Sequence, residues 1–136
     1  MKKALSILLL LTSFFLFSLV SCNSNNEAFV LSGVHKCIKI KNALEKYAAE
    51  SAEHTYPPAI DDVETLVALC KENGANISLT EIEMALTFNS YSTRDNGSDY
   101  YCIFTVNGVP DYFIGKILEV EPEGIIRLTK DKLTVK

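Results

Sequence analysis

CIKIKNALEKYAAES, residues 37–51, places apolar side chains at the three- and four-residue spacing of a helix with one buried side. The pattern extends towards the N-terminus and predicts an amphipathic helix from Val30 to Ser51. Its predicted buried stripe consists of Val34, Cys37, Ile40, Leu44, Tyr47 and Ala48. Charged residues occupy the other sides at Lys36, Lys39, Lys41, Glu45 and Glu50. The helix should therefore pack on a partner layer through one side only.

A second, shorter helix is predicted after the segment Tyr56-Pro57-Pro58, which ends the first. Asp61 and Glu64 have the spacing of a capping box. The next apolar stripe consists of Val63, Leu66, Val67 and Cys70. This helix should end near Asn73-Gly74, because glycine readily adopts the left-handed conformation of a helix C-cap.

Beyond Gly74 the apolar residues alternate with polar ones, which predicts antiparallel strands with one wet face. The predicted strands cover residues 82–89, 100–106, 112–118 and 125–128. Thr80–Glu83 also has capping-box spacing, but the alternation that continues to Phe88 favours a strand. Asn107-Gly108 predicts a two-residue hairpin, and Pro122–Gly124 predicts a turn. The fold class expected is α+β, with the amphipathic helix and the short second helix packed on an antiparallel sheet.

The N-terminus has the layout of an export signal, with Lys2 and Lys3 followed by an apolar run to Val20. Leu19-Val20-Ser21-Cys22 resembles the lipobox of bacterial lipoproteins. The resemblance implies that residues 1–21 are removed and that Cys22 carries the lipid, with 22–29 as lipidated cysteine and flexible tether and 30–136 as a single domain. The alternative is an uncleaved transmembrane helix. The localisation expected is the bacterial cell envelope, facing the periplasm or the exterior.

Three further cysteines, Cys37, Cys70 and Cys102, lie in phase with apolar stripes and should point inward. Export to an oxidising compartment predicts a disulfide between two of them. The sequence does not select the pair, and three buried free thiols are the alternative.

The segment Ile40–Glu50, followed by Tyr56-Pro57-Pro58 and Asp62–Leu66, resembles the head region of type IV pilins and type II secretion pseudopilins. The resemblance covers about Val34 to Val120. It implies a pilin-like head and a role as an accessory of a type IV pilus or type II secretion system. The leader lacks the glycine, phenylalanine and glutamate pattern of pilin precursors, so filament assembly does not follow from the resemblance.

The composition argues against several classes of partner and against enzyme activity. The formal net charge is −4 and no Lys/Arg cluster is present, which argues against nucleic acid and anionic lipid as partners, so that acylation alone would anchor the protein. His35 and His54 lack metal-ligand spacing, and no convergent acid, base and nucleophile are visible. We therefore expect no enzyme activity, cofactor or metal.

The remaining expectation is a lipid-anchored, non-enzymatic protein that acts by protein contact through its head. The alternative is a lipid-anchored inhibitor or immunity-type protein that blocks an envelope enzyme. The binding loop predicted for either role contains Asp95, Asn96 and Asp99. The tyrosines of the sheet, Tyr91, Tyr100, Tyr101 and Tyr112, could form a binding patch, although cross-strand packing is the simpler use.

Overall fold

The computed structural model describes the backbone of residues 2–135 and the side chains of residues 25–132. Its helices are α1 (Lys2–Glu50), α2 (Val63–Glu72) and α3 (Leu79–Ala85). Its strands are β1 (Leu86–Arg94), β2 (Asp99–Val106), β3 (Ile117–Glu121) and β4 (Gly124–Leu128), paired antiparallel in the order β1-β2-β3-β4. Short 3-10 helices cover Asp95–Gly97 and Lys130–Val135. The predicted α+β class, with helices on one antiparallel sheet, is confirmed.

The core lies between α1 and one face of the sheet. Cys37, Ile40 and Leu44 of α1 are fully buried in the same cluster as Phe104 and Leu118 of the sheet. The period of two along β2 holds, since Tyr100, Cys102, Phe104 and Val106 are all buried. The helix stripe and the strand alternation predicted from the sequence therefore face each other.

Gly33 sets how closely α1 approaches the sheet. A Cβ at this position would lie 3.0 Å from Cδ2 of Leu86 and 3.2 Å from Cδ1 of Leu118. Such contacts are tighter than ordinary packing, so the absence of a side chain lets the helix backbone rest on the strands.

Helix α2 begins where an aspartate caps it, although the residue is Asp62 rather than Asp61. The Oδ1 atom of Asp62 accepts a hydrogen bond from the backbone N–H of Thr65 at 2.7 Å. At the other end Gly74 has φ 83°, in agreement with the predicted C-cap.

The prediction of a strand at residues 82–85 is wrong. Ser78 caps α3 by accepting from the backbone N–H of Glu81 at 3.2 Å, and the Glu81 carboxylate accepts from the N–H of Ser78 at 3.0 Å. This reciprocal capping box satisfies two backbone donors at the helix start, and it outweighs the short polar–apolar alternation. Strand β1 begins only at Leu86.

The predicted hairpin at Asn107-Gly108 is also wrong, because a ten-residue connection spans 107–116 before β3. Pro110 has no N–H for a strand ladder. The connection instead makes successive turns, in which Phe113 N–H donates to the Pro110 carbonyl and Lys116 N–H donates to the Phe113 carbonyl, both at 3.0 Å.

The part of the predicted tether whose side chains are described, residues 25–29, is helical rather than flexible. Glu27 forms two hydrogen bonds of 2.8 Å with the guanidinium of Arg127 on β4. This long-range ion pair attaches the beginning of the predicted tether to the sheet.

Residues 25–132 are called the head below, and the two ends of this head contain different segments. The proximal end, where α1 leads back to residues 2–24, contains Phe29, the start of β1 and the 107–116 connection. The distal end contains the α1–α2 connection 51–62, the β1–β2 loop 95–98 and the β3–β4 turn at Pro122-Glu123.

Lys41, predicted to lie on the wet side of α1, has a side chain only 18% exposed and pairs with Glu45.

Candidate functional site

A cleft of about 420 Å³ opens at the distal end of the head. One wall comes from the α1–α2 connection, with Glu53, Thr55, Tyr56 and Pro58. The other wall is the segment Thr93–Gly97, which contains part of the binding loop predicted from the sequence. Two segments that are far apart in sequence therefore form one concave surface.

The backbone around this cleft is unusual. Asp95, Asn96 and Gly97 adopt three consecutive left-handed conformations, with φ of 51°, 57° and 86°. Within residues 25–132, the non-glycine residues with positive φ are Asp95, Asn96 and His54, and His54 lies between Glu53 and Thr55 of the opposite wall. Such conformations are uncommon outside glycine and concentrate at binding sites, where the surrounding contacts maintain them.

Contacts between the two walls hold the loop in place. The backbone N–H of Tyr56 donates to the carbonyl of Gly97 at 2.9 Å. A Cβ on Gly97 would lie 3.1 Å from the Cβ of Thr55, so the loop rests directly on the opposite wall. Ser51 Oγ accepts from the N–H of Thr55 at 3.0 Å and links this wall to the end of α1.

Arg94 fixes the other side of the loop. Its Nε lies 3.0 Å from Oδ2 of Asp99, its Nη2 lies 3.4 Å from Oε1 of Glu121, and its guanidinium lies 5.2 Å from the ring centre of Tyr101. Of the three predicted loop residues, Asp95 and Asn96 are exposed and belong to the segment that lines the cleft, whereas Asp99 binds Arg94. Asp99 is therefore a positioning residue in this structure rather than part of the cleft.

Three tyrosine rings pack against one another next to the cleft, and one of them, Tyr56, also lines it. The rings of Tyr56 and Tyr100 lie 4.5 Å apart, and Tyr91 stacks on Tyr100 at 5.9 Å. The Tyr91 hydroxyl donates to the carbonyl of Pro57 at 2.8 Å. Burial raises the pKa of Tyr56, and the charges of Glu45, Asp99 and Glu123 raise it further. These rings pack the sheet against the Tyr-Pro-Pro segment, which favours a structural use of Tyr91 and Tyr100. Tyr112, by contrast, is exposed.

A pair of carboxyl groups that no sequence pattern indicated, Glu119 and Glu121, lies on the face of the sheet that points away from α1. Glu119 is only 3% exposed, and a hydrogen bond with Glu119 raises the pKa of Glu121, as does partial burial. Beside the pair, a pocket of about 310 Å³ is lined by Arg94, Tyr101 and Ile103, among others. Alternation along β3 predicts only that Glu119 faces away from the helix. Its burial depends on neighbouring strands and on the chain that follows β4.

The three cysteines predicted to point inward are all buried, and all three are free thiols in the structure. Burial raises the pKa of Cys37 and of Cys70 to about 12. Burial also raises the pKa of Cys102, and the nearby Cys37 and Cys70 raise it further. The fold thus brings the three thiols into one neighbourhood around Cys102, and the disulfide between two of them stays a prediction.

The other predictions concern the lipidation site, the two histidines, metal binding and a membrane-spanning helix. Cys22 lies outside the residues whose side chains are described. His35 and His54 are both exposed. Among residues 25–132, no group of three or more His, Cys, Asp or Glu side chains is arranged to hold a metal ion. Over the same residues, no helix combines the length and the apolar character needed to span a membrane.

Comparisons with protein-family models, with curated proteins and with solved structures find no match to this chain.

Proposed function

We propose that the protein is a lipid-anchored, non-enzymatic component of the bacterial cell envelope that binds another envelope protein through the distal cleft. The resemblance of the sequence to pilin and pseudopilin heads suggests a type IV pilus or type II secretion system as the assembly it serves. The lipobox-like Leu19–Cys22 suggests the anchor.

One observation carries the proposal of a protein contact. The distal cleft combines left-handed Asp95 and Asn96 with a backbone hydrogen bond between its walls, at the end of the head opposite to the leader. A concave surface far from the proposed anchor is accessible to a neighbouring protein. Glu53 and Asp95 place carboxylates along it, and Arg94, which also lines it, is paired with Asp99 and Glu121. The complementary surface of the partner therefore carries Lys or Arg.

The inhibitor alternative requires a loop that projects into the cleft of an enzyme. The segment 95–98 instead packs on Thr55 and Tyr56 and forms a wall of its own cleft. This arrangement favours reception of a partner segment over insertion into one.

Photo-crosslinking in intact cells tests the contact. A photoreactive amino acid at Asn96 should give a discrete crosslinked product, whereas the same amino acid at Ala68, exposed on α2, should not. The double variant Glu53→Lys, Asp95→Lys should reduce the product several-fold, because it reverses the charge of the cleft. Equal crosslinking from Asn96 and Ala68 would exclude the cleft as the contact. Identification of the product as an envelope hydrolase or toxin would support the inhibitor alternative instead.

Metabolic labelling with a palmitate analogue tests the anchor. The wild-type protein should incorporate the label, and Cys22→Ala should abolish it, because no other acylation site is predicted. Continued labelling of the variant would show that the lipobox assignment is wrong.

A further inference from the structure

Exposed apolar side chains concentrate at the proximal end of the head. Phe29 on α1 is 51% exposed, Met84 on α3 is 77% exposed, and Tyr112 and Ile114 on the 107–116 connection are 77% and 63% exposed. We call these four residues the proximal rim. They come from three separate elements, so their common location is a property of the fold and not of one apolar run.

Several contacts place Phe29, Met84 and the 107–116 connection, which carries Tyr112 and Ile114, around the same part of α1. Phe29 and Met84 line the same depression together with Gly108, and a Cβ on Gly108 would lie 3.8 Å from the ring of Phe29. The carbonyl of Ile114 accepts from Arg127 at 2.9 Å, and Arg127 in turn binds Glu27. Gly115 lies against Val30. The 107–116 connection therefore lies beside residues 27–30 of α1.

The rim lies close to where the chain would meet the membrane. The interval from Cys22 to Phe29 covers only about 10 Å of α-helix, so a lipid on Cys22 holds Phe29 near the bilayer surface. If the leader is retained as a membrane helix, α1 still leads from it directly to the same end of the head.

Charges of both signs lie at this end. Glu27 pairs with Arg127, and Asp111 pairs with Lys130 at 3.2 Å. Lys36 and Glu81 line the depression beside Phe29 and Met84, and Glu83 is exposed on α3. Paired charges lower the cost of moving a surface towards a medium of low dielectric constant. The distal end, by contrast, presents Glu53, Asp95 and Glu123 to solvent, which an anionic lipid surface would repel.

We propose that the proximal rim docks on the lipid headgroup and acyl boundary, so that the head is held upright on the membrane with its distal cleft pointing away. This inference rests on the proposed anchorage of the protein. It adds a second contact to the acyl chains, which the sequence alone suggested as the sole attachment. Aromatic and aliphatic side chains at this depth gain burial while backbone polar groups stay hydrated.

The absence of tryptophan from the chain permits a direct test. Protein extracted from the membranes of the producing cells, with Tyr112→Trp as its only tryptophan, is reconstituted in vesicles of phosphatidylethanolamine and phosphatidylglycerol that contain a dibrominated phosphatidylcholine. The bromine atoms should quench the fluorescence of this tryptophan several-fold more than that of a tryptophan introduced at the distal turn by Glu123→Trp. Equal quenching at the two positions would overturn the docking proposal.

Flotation of the same vesicles separates this proposal from the proposed function. Protein that floats with the vesicles but shows no quenching at position 112 retains its anchor and lacks the docked rim. Protein that fails to float contradicts the anchorage itself, and the docking with it. Concentration-dependent self-association of the detergent-solubilised protein, without quenching in vesicles, would assign the rim to a second copy of the chain.

A pair of matched substitutions tests the contribution of the rim residues. Ile114→Asp in the Tyr112→Trp background should reduce the quenching several-fold while flotation persists. Ile38→Asp, the same change at an exposed apolar position farther along α1, should leave the quenching unchanged. Unchanged thermal unfolding of both variants confirms that the head remains folded, and equal losses of quenching would contradict the rim as the docking surface.

Discussion

The proximal and distal ends of the head differ in how their loops are held. At the proximal end, the 107–116 connection packs its small residues against α1, is tied to the sheet by the Glu27–Arg127 ion pair and exposes apolar side chains. At the distal end, left-handed Asp95 and Asn96 lie in a loop held by Arg94 and by backbone hydrogen bonds, and polar side chains cover the surface. The proposed lipid contact and the proposed protein contact therefore use opposite ends of the same sheet.

The two ends also differ in the main interactions that order their loops, which are close packing at the proximal end and polar contacts at the distal end. A proximal loop stabilised by close packing should be sensitive to added volume. A distal loop stabilised mainly by hydrogen bonds should be more sensitive to the loss of a polar partner.

Leu44→Ala should cause the largest loss of stability. Leu44 is fully buried in the part of α1 that joins the two ends, and its truncation should lower the free energy of unfolding by about 2–5 kcal/mol. Asn42→Ala, on the exposed side of α1, should change it by under about 0.5 kcal/mol. Urea unfolding measures both, and equal small effects would show that α1 is a stalk that does not fix the ends relative to each other.

The redox state of the middle of the head should be visible by mass spectrometry. We expect one disulfide among Cys37, Cys70 and Cys102 in the exported protein, because an oxidising compartment favours pairing and all three are buried in one core cluster. The bridge would contribute about 3 kcal/mol if the geometry is unstrained. Alkylation under denaturing, non-reducing conditions should label one of these three thiols. Labelling of all three would disprove the disulfide.

Gly115→Ala should destabilise the proximal end more than Gly124→Ala destabilises the distal end. Gly115 has φ 104°, and a Cβ there would lie 2.6 Å from Cγ1 of Val30. The combined backbone strain and steric overlap should cost about 2–4 kcal/mol. A Cβ at Gly124 would meet no atom within 4 Å, so that substitution should cost about 1 kcal/mol. Similar losses of thermal stability for the two variants would contradict tight packing at the proximal end.

The two ends should respond to pH in opposite directions. The hydrogen bonds to Arg127 lower the pKa of Glu27 below 4.5, so its contribution to stability is lost as the pH falls through this lowered value. The hydrogen bond with Glu119 and partial burial raise the pKa of Glu121 above 4.5, so its contribution is lost as the pH rises through this raised value.

Two single variants separate these pH effects. Unfolding measured as a function of pH should show that Glu27→Gln reduces the acid-side loss of stability and leaves the loss above pH 4.5 in place. Glu121→Gln should have the reverse effect. A profile of Glu121→Gln identical to that of the wild type would show that the carboxyl pair has no energetic role.

Tyr100→Phe should produce the smallest change. The Tyr100 hydroxyl is buried and has no hydrogen-bond partner in the part of the chain whose side chains the structure describes. Because the hydroxyl loses hydration without compensation, its removal should leave the free energy of unfolding unchanged or raise it by about 1 kcal/mol. A loss of more than about 1 kcal/mol would indicate that the hydroxyl has a hydrogen-bond partner.

The sequence predicted those features that depend on short-range pattern. The three- and four-residue spacing around Leu44, the cap and C-cap of α2 and the alternation through Phe104 all follow from which side of an element must be apolar. The errors came where two local signals competed. At Ser78–Ala85 reciprocal capping prevailed over alternation, and at 107–116 a proline prevented the hairpin that Asn107-Gly108 suggested.

The candidate site could be only half predicted, for a physical reason. Asp95 and Asn96 were identified as loop residues with binding potential. Their partner wall at Glu53–Pro58 is joined to the loop by one hydrogen bond, between Tyr56 and Gly97, which spans about 40 residues of sequence and which no local spacing encodes. The same applies to the burial of Glu119, the grouping of the thiols around Cys102 and the proximal rim. The sequence by itself determined the α+β class and the faces of its helices and strands, because side-chain direction repeats with backbone geometry. Only the tertiary structure decided which residues meet at each end, because those contacts depend on how the elements pack against one another.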